Sequence, residues 1–135
     1  MISLAELGVE PNTRTLIILT GPPGSRPEEW VDKQGIPSYG KHNRAMWRDH
    51  PTREPIAMIP SAPDSSAKEY WIKEAHRFGW KPVLLLNEPG EYRAITNLWE
   101  DMGATKEDLK KRLAKTVKRW YASYTQHSAE VAVDG

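Results

Sequence analysis

Three short apolar runs constrain the fold of this chain more than any other feature of its sequence. The runs are Thr15–Thr20, residues 56–59 and residues 83–86. Their apolar residues follow one another instead of alternating with polar ones, which is typical of strands buried on both faces of a parallel sheet. Gly or Pro closes the first two runs, and Asn87 closes the third. The sequence therefore predicts a small, mainly parallel sheet of about three strands.

Amphipathic patterns predict helices between and after these runs. Segment 64–78 carries an apolar stripe and stops at Gly79, and segment 91–102 carries another and stops at Gly103. Glycine is the usual residue just beyond the end of a helix. A last helix is predicted from Thr105 onwards.

The long polar connection 26–53 contains few apolar residues, and we expect short helices over 27–33 and 41–49. Alternating strands and helices imply right-handed crossovers, so the predicted fold class is α/β, a small three-layer sandwich with helices flanking the sheet. We expect one domain over 1–127 and a flexible C-terminal tail over 128–135.

Composition and charge exclude several classes of protein. The chain has 135 residues and a net charge of +1, so no global field draws it to nucleic acid or membranes. It has no cysteine, which excludes disulfides and thiolate chemistry and fits a reducing cytoplasm. The N-terminus lacks a signal-peptide pattern, and no apolar run approaches the length of a membrane span. We therefore expect a cytoplasmic protein without a membrane partner.

The loop after the first run carries the most specific motif. Residues 21–25 read Gly-Pro-Pro-Gly-Ser. This resembles the start of the Walker A motif of P-loop NTPases, above all of small nucleotide-kinase-like proteins common in phage and actinobacterial genomes. Segments 59–64, 81–89, 91–94 and 118–121 are similar to later strands and the C-terminal helix of that group. The resemblance implies a P-loop kinase-like fold.

The sequence departs from that pattern where a P-loop binds its nucleotide. The resemblance implies Gly, Lys and Ser or Thr at the next three positions, for the phosphates and Mg²⁺. Here they are Arg26, Pro27 and Glu28. Pro27 offers neither a backbone N–H nor a charge, and Glu28 brings a carboxylate. The acidic residue expected after the second strand has only Asp49 as a counterpart, so we expect no catalytic residue and no cofactor.

What remains is a candidate for weak anion binding. Arg93 follows the third run, where open α/β sheets place their ligands. With it, the candidate site consists of Gly21, Gly24, Ser25, Arg26 and Arg93. Two simpler interpretations stay open. The loop can be a Pro/Gly turn that leads into an ordinary helix with Pro27 near its first position, and Arg93 can form a surface ion pair with Glu100 or Asp101.

The histidines do not form a metal motif. His42 and His50 are eight residues apart, and His76 and His127 are isolated. Zinc ligands are spaced more tightly, so no metal site is predicted.

The polar connection holds residue types that dominate protein interfaces. Trp, Tyr and Arg bring large area or several donors at a small entropic cost. The predicted partner-binding patch, for a host factor or a second copy of this chain, consists of Trp30, Tyr39, Arg44, Trp47 and Arg48. The alternative is that the two tryptophans pack on the sheet and belong to the core.

The last helix is basic and ends in aromatic residues. Its candidate phosphate contacts are Lys110, Lys111, Lys115, Lys118 and Arg119, a pattern that suits weak nucleic-acid binding. A solvated basic face is the simpler interpretation, because cations are favoured toward the C-terminus of any helix.

Three functional hypotheses follow from these residues. The first is a non-catalytic protein-binding module on a degenerate P-loop kinase-like scaffold, which the resemblance implies is phage or prophage encoded and acts on a host or virion protein. The second is a minimal nucleotide or polynucleotide kinase-like ATPase. The third is a nucleic-acid binder that uses the basic C-terminal helix.

Overall fold

The structure, a computed structural model, describes residues 3–40, 46–60, 65–124 and 131–133, with the side chains of 65–67 and 133 left aside. Its elements are β1 Thr15–Thr20, α1 Pro27–Gln34, β2 Ser38–Tyr39, a 3₁₀ helix Met46–Asp49, β3 Ile56–Met58, α2 Ser65–Arg77, β4 Lys81–Asn87, α3 Glu91–Asp101, α4 Glu107–Ser123 and β5 Val131–Val133.

The strands form one parallel sheet in the order β2-β3-β1-β4-β5. The three predicted strands are its centre, so the α/β fold class with a parallel sheet is confirmed. The sheet nevertheless has five strands instead of about three. The two additional strands lie at the edges and have two and three residues, which is too short to give a readable apolar pattern.

β1 lies in the middle of the sheet, and all six of its residues are buried. Its side chains alternate between two hydrophobic clusters. Leu16 and Ile18 pack with residues of the 3₁₀ helix, β3 and α2, whereas Ile17 and Leu19 pack with residues of α1. Successive side chains of a strand point to opposite faces, so β1 is covered on both sides. The continuous apolar run was therefore interpreted correctly.

The bounds of α2 and α3 and the start of α4 lie within two residues of the predicted ones, but Tyr92 and Met102, at the two ends of the stripe predicted for α3, are exposed. A third cluster joins Ala94 and Ile95 of α3 to Val117 of α4. Gly79 and Gly103 have φ of +80° and +61° just beyond the ends of α2 and α3, as glycine C-caps require.

Two predicted segments differ from the structure. The helix predicted over 41–49 is a 3₁₀ helix over Met46–Asp49, and residues 41–45 lie outside the described residues. The tail predicted over 128–135 contains β5, whose Val131 pairs with Leu85 of β4, and the rest of that segment lies outside the described residues. Strand pairing supplies the backbone partners that the tail sequence alone does not reveal.

Within the described ranges, no helix combines the length and apolarity needed to cross a bilayer. The longest, α4, has 17 residues and an outer face rich in lysine and arginine.

Candidate functional site

The candidate site lies where β1 and β4 end side by side. β1 continues through α1 to β2 at one edge of the sheet, and β4 continues through α3 and α4 to β5 at the other. Connections that leave neighbouring strands in opposite directions open a crevice at their carboxyl ends, where open α/β sheets bind ligands. Residues 21–28 fill this position.

Both glycines of the loop are required by close packing against the protein itself. A Cβ atom on Gly21 would lie 2.4 Å from the carbonyl oxygen of Asn87. A Cβ atom on Gly24 would lie 2.0 Å from the carbonyl oxygen of Ala94, and Gly24 also has a φ of +87°. Such distances are far inside van der Waals contact, so no other residue fits without a backbone shift. The Gly-Pro-Pro-Gly motif is thus explained by the fit of the loop to β4 and α3.

Two asparagine amides hold the loop in place. The buried Asn87 at the end of β4 donates from Nδ2 to the Ser25 carbonyl at 2.7 Å. Asn97 on α3 donates from Nδ2 to the Gly24 carbonyl at 3.0 Å. The Ser25 N–H donates to the Pro22 carbonyl at 3.0 Å, which closes the turn. The Ser25 N–H is therefore already used within the protein.

Arg26 has a left-handed backbone conformation, and its side chain is directed to α3. Its φ and ψ of 52° and 57° lie in the left-handed region, which glycine adopts without strain. Its Nη2 donates to Asp101 Oδ1 at 2.8 Å, and its Nε to Oδ2 at 3.2 Å. The paired hydrogen bonds to Asp101 raise the pKa of Arg26. The guanidinium is therefore committed to α3.

Additional carboxylates surround the same guanidinium. Glu100 approaches Arg26 to 3.5 Å and Glu29 to 3.8 Å. Four carboxylates, counting Glu28 and Asp101, thus lie in or beside a loop whose cation is Arg26. The local charge at the mouth of the loop is negative.

The two following positions open α1 and bring no phosphate ligand. Pro27 is the first residue of α1, a position that suits proline because the missing N–H has no helical partner there. Glu28 and Glu29 occupy the first turn, where carboxylates complement the helix dipole. These residues complement the dipole of α1, although Arg26 at the N-cap position makes no side-chain capping hydrogen bond.

A pocket of about 440 Å³ opens beside the loop. Its walls are residues 21–28 together with Pro60, Asp101 and Trp120. Trp120 stacks on Tyr124 with ring centroids 4.2 Å apart. The Nζ of Lys68, a buried residue of α2, lies 4.0 Å from the centroid of the Tyr124 ring. The sequence did not place Pro60 at this site, because segment 59–64 was interpreted only as similar to a later strand, and it gave no signal for the contact of Lys68 with Tyr124.

The predicted anion site is brought together only in part. Gly21, Gly24, Ser25 and Arg26 all line the pocket. Arg93 lies exposed on α3 and is not among the described residues that line it. The ion pair proposed for Arg93 also belongs to another residue, because Asp101 and Glu100 bind Arg26.

Glu88, at the exit of β4, is engaged by the protein as well. Its Oε1 accepts hydrogen bonds from the Tyr121 hydroxyl and from the Gly90 N–H, the latter at 2.7 Å. Burial and, next, the hydrogen bond to Glu88 raise the pKa of Tyr121. The contact fastens α4 to the start of α3 at this edge of the sheet.

These residues do not fit a bound nucleotide. The resemblance of residues 21–25 to a Walker A motif implies a nucleoside triphosphate and Mg²⁺ at this loop, held by inward N–H groups, a lysine and a hydroxyl. The loop offers Pro27 and Glu28 at the latter two positions, and its arginine is bound by Asp101. Among the described residues, no group of three or more His, Asp or Glu side chains could hold a metal ion.

The predicted partner-binding patch is not an exposed surface. Trp30 is 2% exposed and Trp47 is fully buried, and they lie in clusters on opposite faces of the sheet. Trp47 packs edge-on against Trp71 and Phe78. Their burial favours the alternative interpretation, in which both indoles pack on the sheet and belong to the core. A sheet this small needs large side chains from its connections to cover both faces.

The remaining members of that patch have partners within the chain. Arg48 Nη2 lies 3.0 Å from Glu74 Oε2, and the Arg48 guanidinium lies over the Phe78 ring. The Tyr39 hydroxyl is 2.7 Å from His50 Nδ1. Arg44 lies outside the described residues.

A polar cluster that the sequence did not reveal fixes the end of this connection. His50 bridges Tyr39 to Glu54, with Nε2 2.7 Å from Glu54 Oε1, and the Thr52 hydroxyl donates to the same oxygen at 2.7 Å. The hydrogen bond from Thr52 and, next, that from His50 lower the pKa of Glu54. The close spacing of His50, Thr52 and Glu54 was the available signal, but it is too common to be diagnostic.

The fold and the loop together define the class: this chain has a P-loop kinase-like α/β fold. Among solved structures, a gluconokinase from Sinorhizobium meliloti 1021 is similar with a TM-score of 0.58. The match covers 91% of this chain and 83% of that chain, at 14% sequence identity, so the likeness concerns the fold. No protein-family model matches the chain, and no curated protein matches it.

Proposed function

We propose that this chain is a non-catalytic protein-binding module in which the phosphate loop of a kinase-like scaffold has become a structural loop. The observation that carries the proposal is the bidentate ion pair between Arg26 and Asp101. Because Asp101 binds the Arg26 guanidinium, the cation of the loop is not available to a phosphate in the pocket. The pocket beside the loop is the proposed binding site.

Electrostatics supports a partner other than a nucleotide. A triphosphate at the loop would meet the carboxylates of Glu28 and Asp101 on the pocket wall. Two like charges about 4 Å apart repel by about 1 kcal/mol in water and about 4 kcal/mol near a protein surface. A neutral or basic group of a protein avoids this repulsion and gains contact with Trp120 and the prolines. The phage or prophage origin and a host or virion target remain predictions of the resemblance.

Protein capture with a matched pair of variants tests the binding site. Glu28→Lys reverses an exposed charge in the pocket, whereas Glu10→Lys makes the same change in the exposed segment before β1. Partners captured by the wild type and by Glu10→Lys should be lost with Glu28→Lys. Equal capture by both variants would place the binding surface elsewhere.

The second candidate, a minimal kinase-like ATPase, is favoured by the gluconokinase likeness and by the left-handed backbone of Arg26, at the position where the resemblance implies glycine. Restoring the Walker A residues of the loop distinguishes the ATPase from the protein-binding module. The triple variant Arg26→Gly, Pro27→Lys, Glu28→Ser should bind Mg·ATP at least tenfold more tightly than the wild type. Arg26→Gly alone should gain nothing, because it supplies no lysine. Wild-type binding as tight as that of the triple variant would favour the ATPase.

A further inference from the structure

The outer face of α4 carries a stripe of cations. We call Lys111, Arg112, Lys115, Lys118 and Arg119 the α4 stripe; all of them are exposed. At 3.6 residues per turn they fall within an arc of about 120° and span about 12 Å along the helix. The buried Val117 lies on the other side, against α3. The stripe is thus an ordered row of charges on a rigid, docked helix.

The charges of the stripe have no ion pair within the described residues. The salt bridges there engage Arg26, Arg48, Arg77 and His50. Lys110 differs from the stripe because it lies over the Trp99 ring, 5.1 Å from its centroid. Since the whole chain has a net charge of +1, the +5 of the stripe leaves −4 for the remainder. The stripe is therefore a local excess of positive charge on a chain whose remaining residues are net negative.

We propose that the α4 stripe binds the phosphate backbone of duplex nucleic acid without sequence specificity. Phosphate contacts by lysine and arginine supply most of non-specific affinity, through release of counterions. Twelve ångströms of duplex carries about seven phosphate charges on its two strands, enough to engage most of the stripe from one side. The binding does not involve the loop pocket, so it can hold or fail independently of the proposed function.

The aromatic residues at the end of α4 favour a duplex over a single strand. Base stacking needs exposed rings, but Trp120 stacks on Tyr124 and the Tyr121 hydroxyl binds Glu88. No aromatic residue belongs to the stripe. Recognition therefore rests on charge, which carries no sequence information.

A membrane is a poorer fit for the same stripe. Amphipathic helices bind bilayers by inserting an apolar face below the headgroups. The apolar face of α4 is occupied by α3, through Ala94, Ile95 and Val117. The outer face of α4 could therefore contact a bilayer only through its charges.

Fluorescence anisotropy with a labelled 20-base-pair DNA duplex tests the proposal. Binding should be measurable at about 50 mM salt, and the slope of log K against log salt should lie between about −2.5 and −4.5, from about 0.9 per phosphate contact. A duplex RNA of the same length should behave similarly, because both present a phosphate backbone. Anionic phosphatidylserine vesicles form a parallel arm.

The variants are matched in charge. Lys111→Gln, Lys115→Gln and Lys118→Gln together remove three charges from the stripe and should weaken duplex binding tenfold or more and flatten the salt slope. Lys33→Gln, Lys73→Gln and Lys81→Gln remove three exposed charges from α1, α2 and β4 and should leave most binding intact. All six side chains are outside the core, so both proteins should melt as the wild type does.

Several results would overturn the proposal. They are no duplex binding at 50 mM salt, a salt slope near zero, equal losses in the two triple variants, or binding to vesicles without binding to the duplex. Tighter binding of a 20-nucleotide single strand than of the duplex would overturn the assignment to double-stranded backbone.

Discussion

The loop mouth and the outer face of α4 use positive charge in opposite ways. At the mouth, Arg26 forms ion pairs with Glu29, Glu100 and Asp101 of the same chain. On the α4 stripe, five cations face solvent without an ion-pair partner in the described part of the chain. One region occupies the position in the sheet where ligands of this architecture bind, and the other has the charge that an anionic ligand needs.

The comparison shows that fold position and chemistry can separate. The loop sits at the switch point of the sheet, where ligands of this architecture bind. Its glycines nevertheless serve packing, asparagines of β4 and α3 hold its backbone, and its arginine is paired within the chain. Function has to be argued from the side chains present at a site, not from the place of the site in the fold.

The largest expected effect tests whether the polar connection 26–53 forms an exposed binding surface, in addition to the loop mouth and the α4 stripe. Trp47→Ala should destabilise the protein by about 3–5 kcal/mol, because it empties a fully buried indole site. A loss of that size lowers the melting temperature by about 10–20 °C in a domain of this size. Arg48→Ala, at a partly exposed neighbour, is the control and should change stability far less. If the melting temperature of Trp47→Ala stays within a few degrees of wild type, Trp47 is not a core residue, and the exposed-surface interpretation is restored.

The next effect tests why the loop keeps its glycines. Gly24→Ala should cost about 3 kcal/mol or more, because the new Cβ meets the Ala94 carbonyl and φ is positive. Gly103→Ala has the same backbone penalty with no atom within 4 Å of its Cβ, so it should cost only about 1–2 kcal/mol. Chemical denaturation measures both. Equal costs would mean that α3 yields and that the loop is not tightly fitted.

A smaller effect concerns the ion pair between Arg26 and Asp101, which distinguishes the loop mouth from the α4 stripe. Asp101→Asn leaves the shape of the pocket but removes the main partner of Arg26. The melting temperature should fall slightly, because the pair is partly exposed and screened by solvent. Anion affinity at the loop should rise, which phosphate or Mg·ATP titration can detect. Glu107→Gln, an exposed carboxylate of α4, should do neither. An unchanged anion affinity for Asp101→Asn would show that Arg26 is not the limiting group.

The smallest effect is a pH dependence at the polar cluster. The pKa of Glu54 is lowered from its ordinary value of 4.5 by Thr52 and His50. Its contribution to stability is therefore present above pH 4.5 and is lost as the pH falls through the lower folded pKa. The stability difference between wild type and Glu54→Gln should shrink over that acidic range in parallel denaturation series. A difference that stays constant down to pH 3 would contradict the shift.

The sequence predicted the centre of the fold because its strands are buried on both faces. Continuous runs such as Thr15–Thr20 leave no ambiguity between a surface strand and a central one. The edge strands could not be predicted, since Ser38–Tyr39 and Val131–Val133 depend on pairing with neighbours that are distant in sequence. Propensity is weak for such short segments.

The candidate site was predicted only as far as its motif extends. The loss of the lysine and hydroxyl positions could be read directly at Pro27 and Glu28. The ion pair of Arg26 with Asp101 could not, because it joins residues 75 positions apart. The burial of Trp47 could not be predicted for a related reason. The polar residues around it in the sequence indicate a loop, whereas the side chains that bury it are Trp71 and Phe78.

Isothermal titration of the wild-type protein with Mg·ATP and Mg·GTP tests the central claim most directly. The account predicts no binding tighter than about millimolar, a free energy of about −4 kcal/mol, for either nucleotide. Micromolar binding, or turnover that is lost on Arg26→Ala, would contradict it, because the loop would then hold phosphates despite the pairing of its arginine with Asp101.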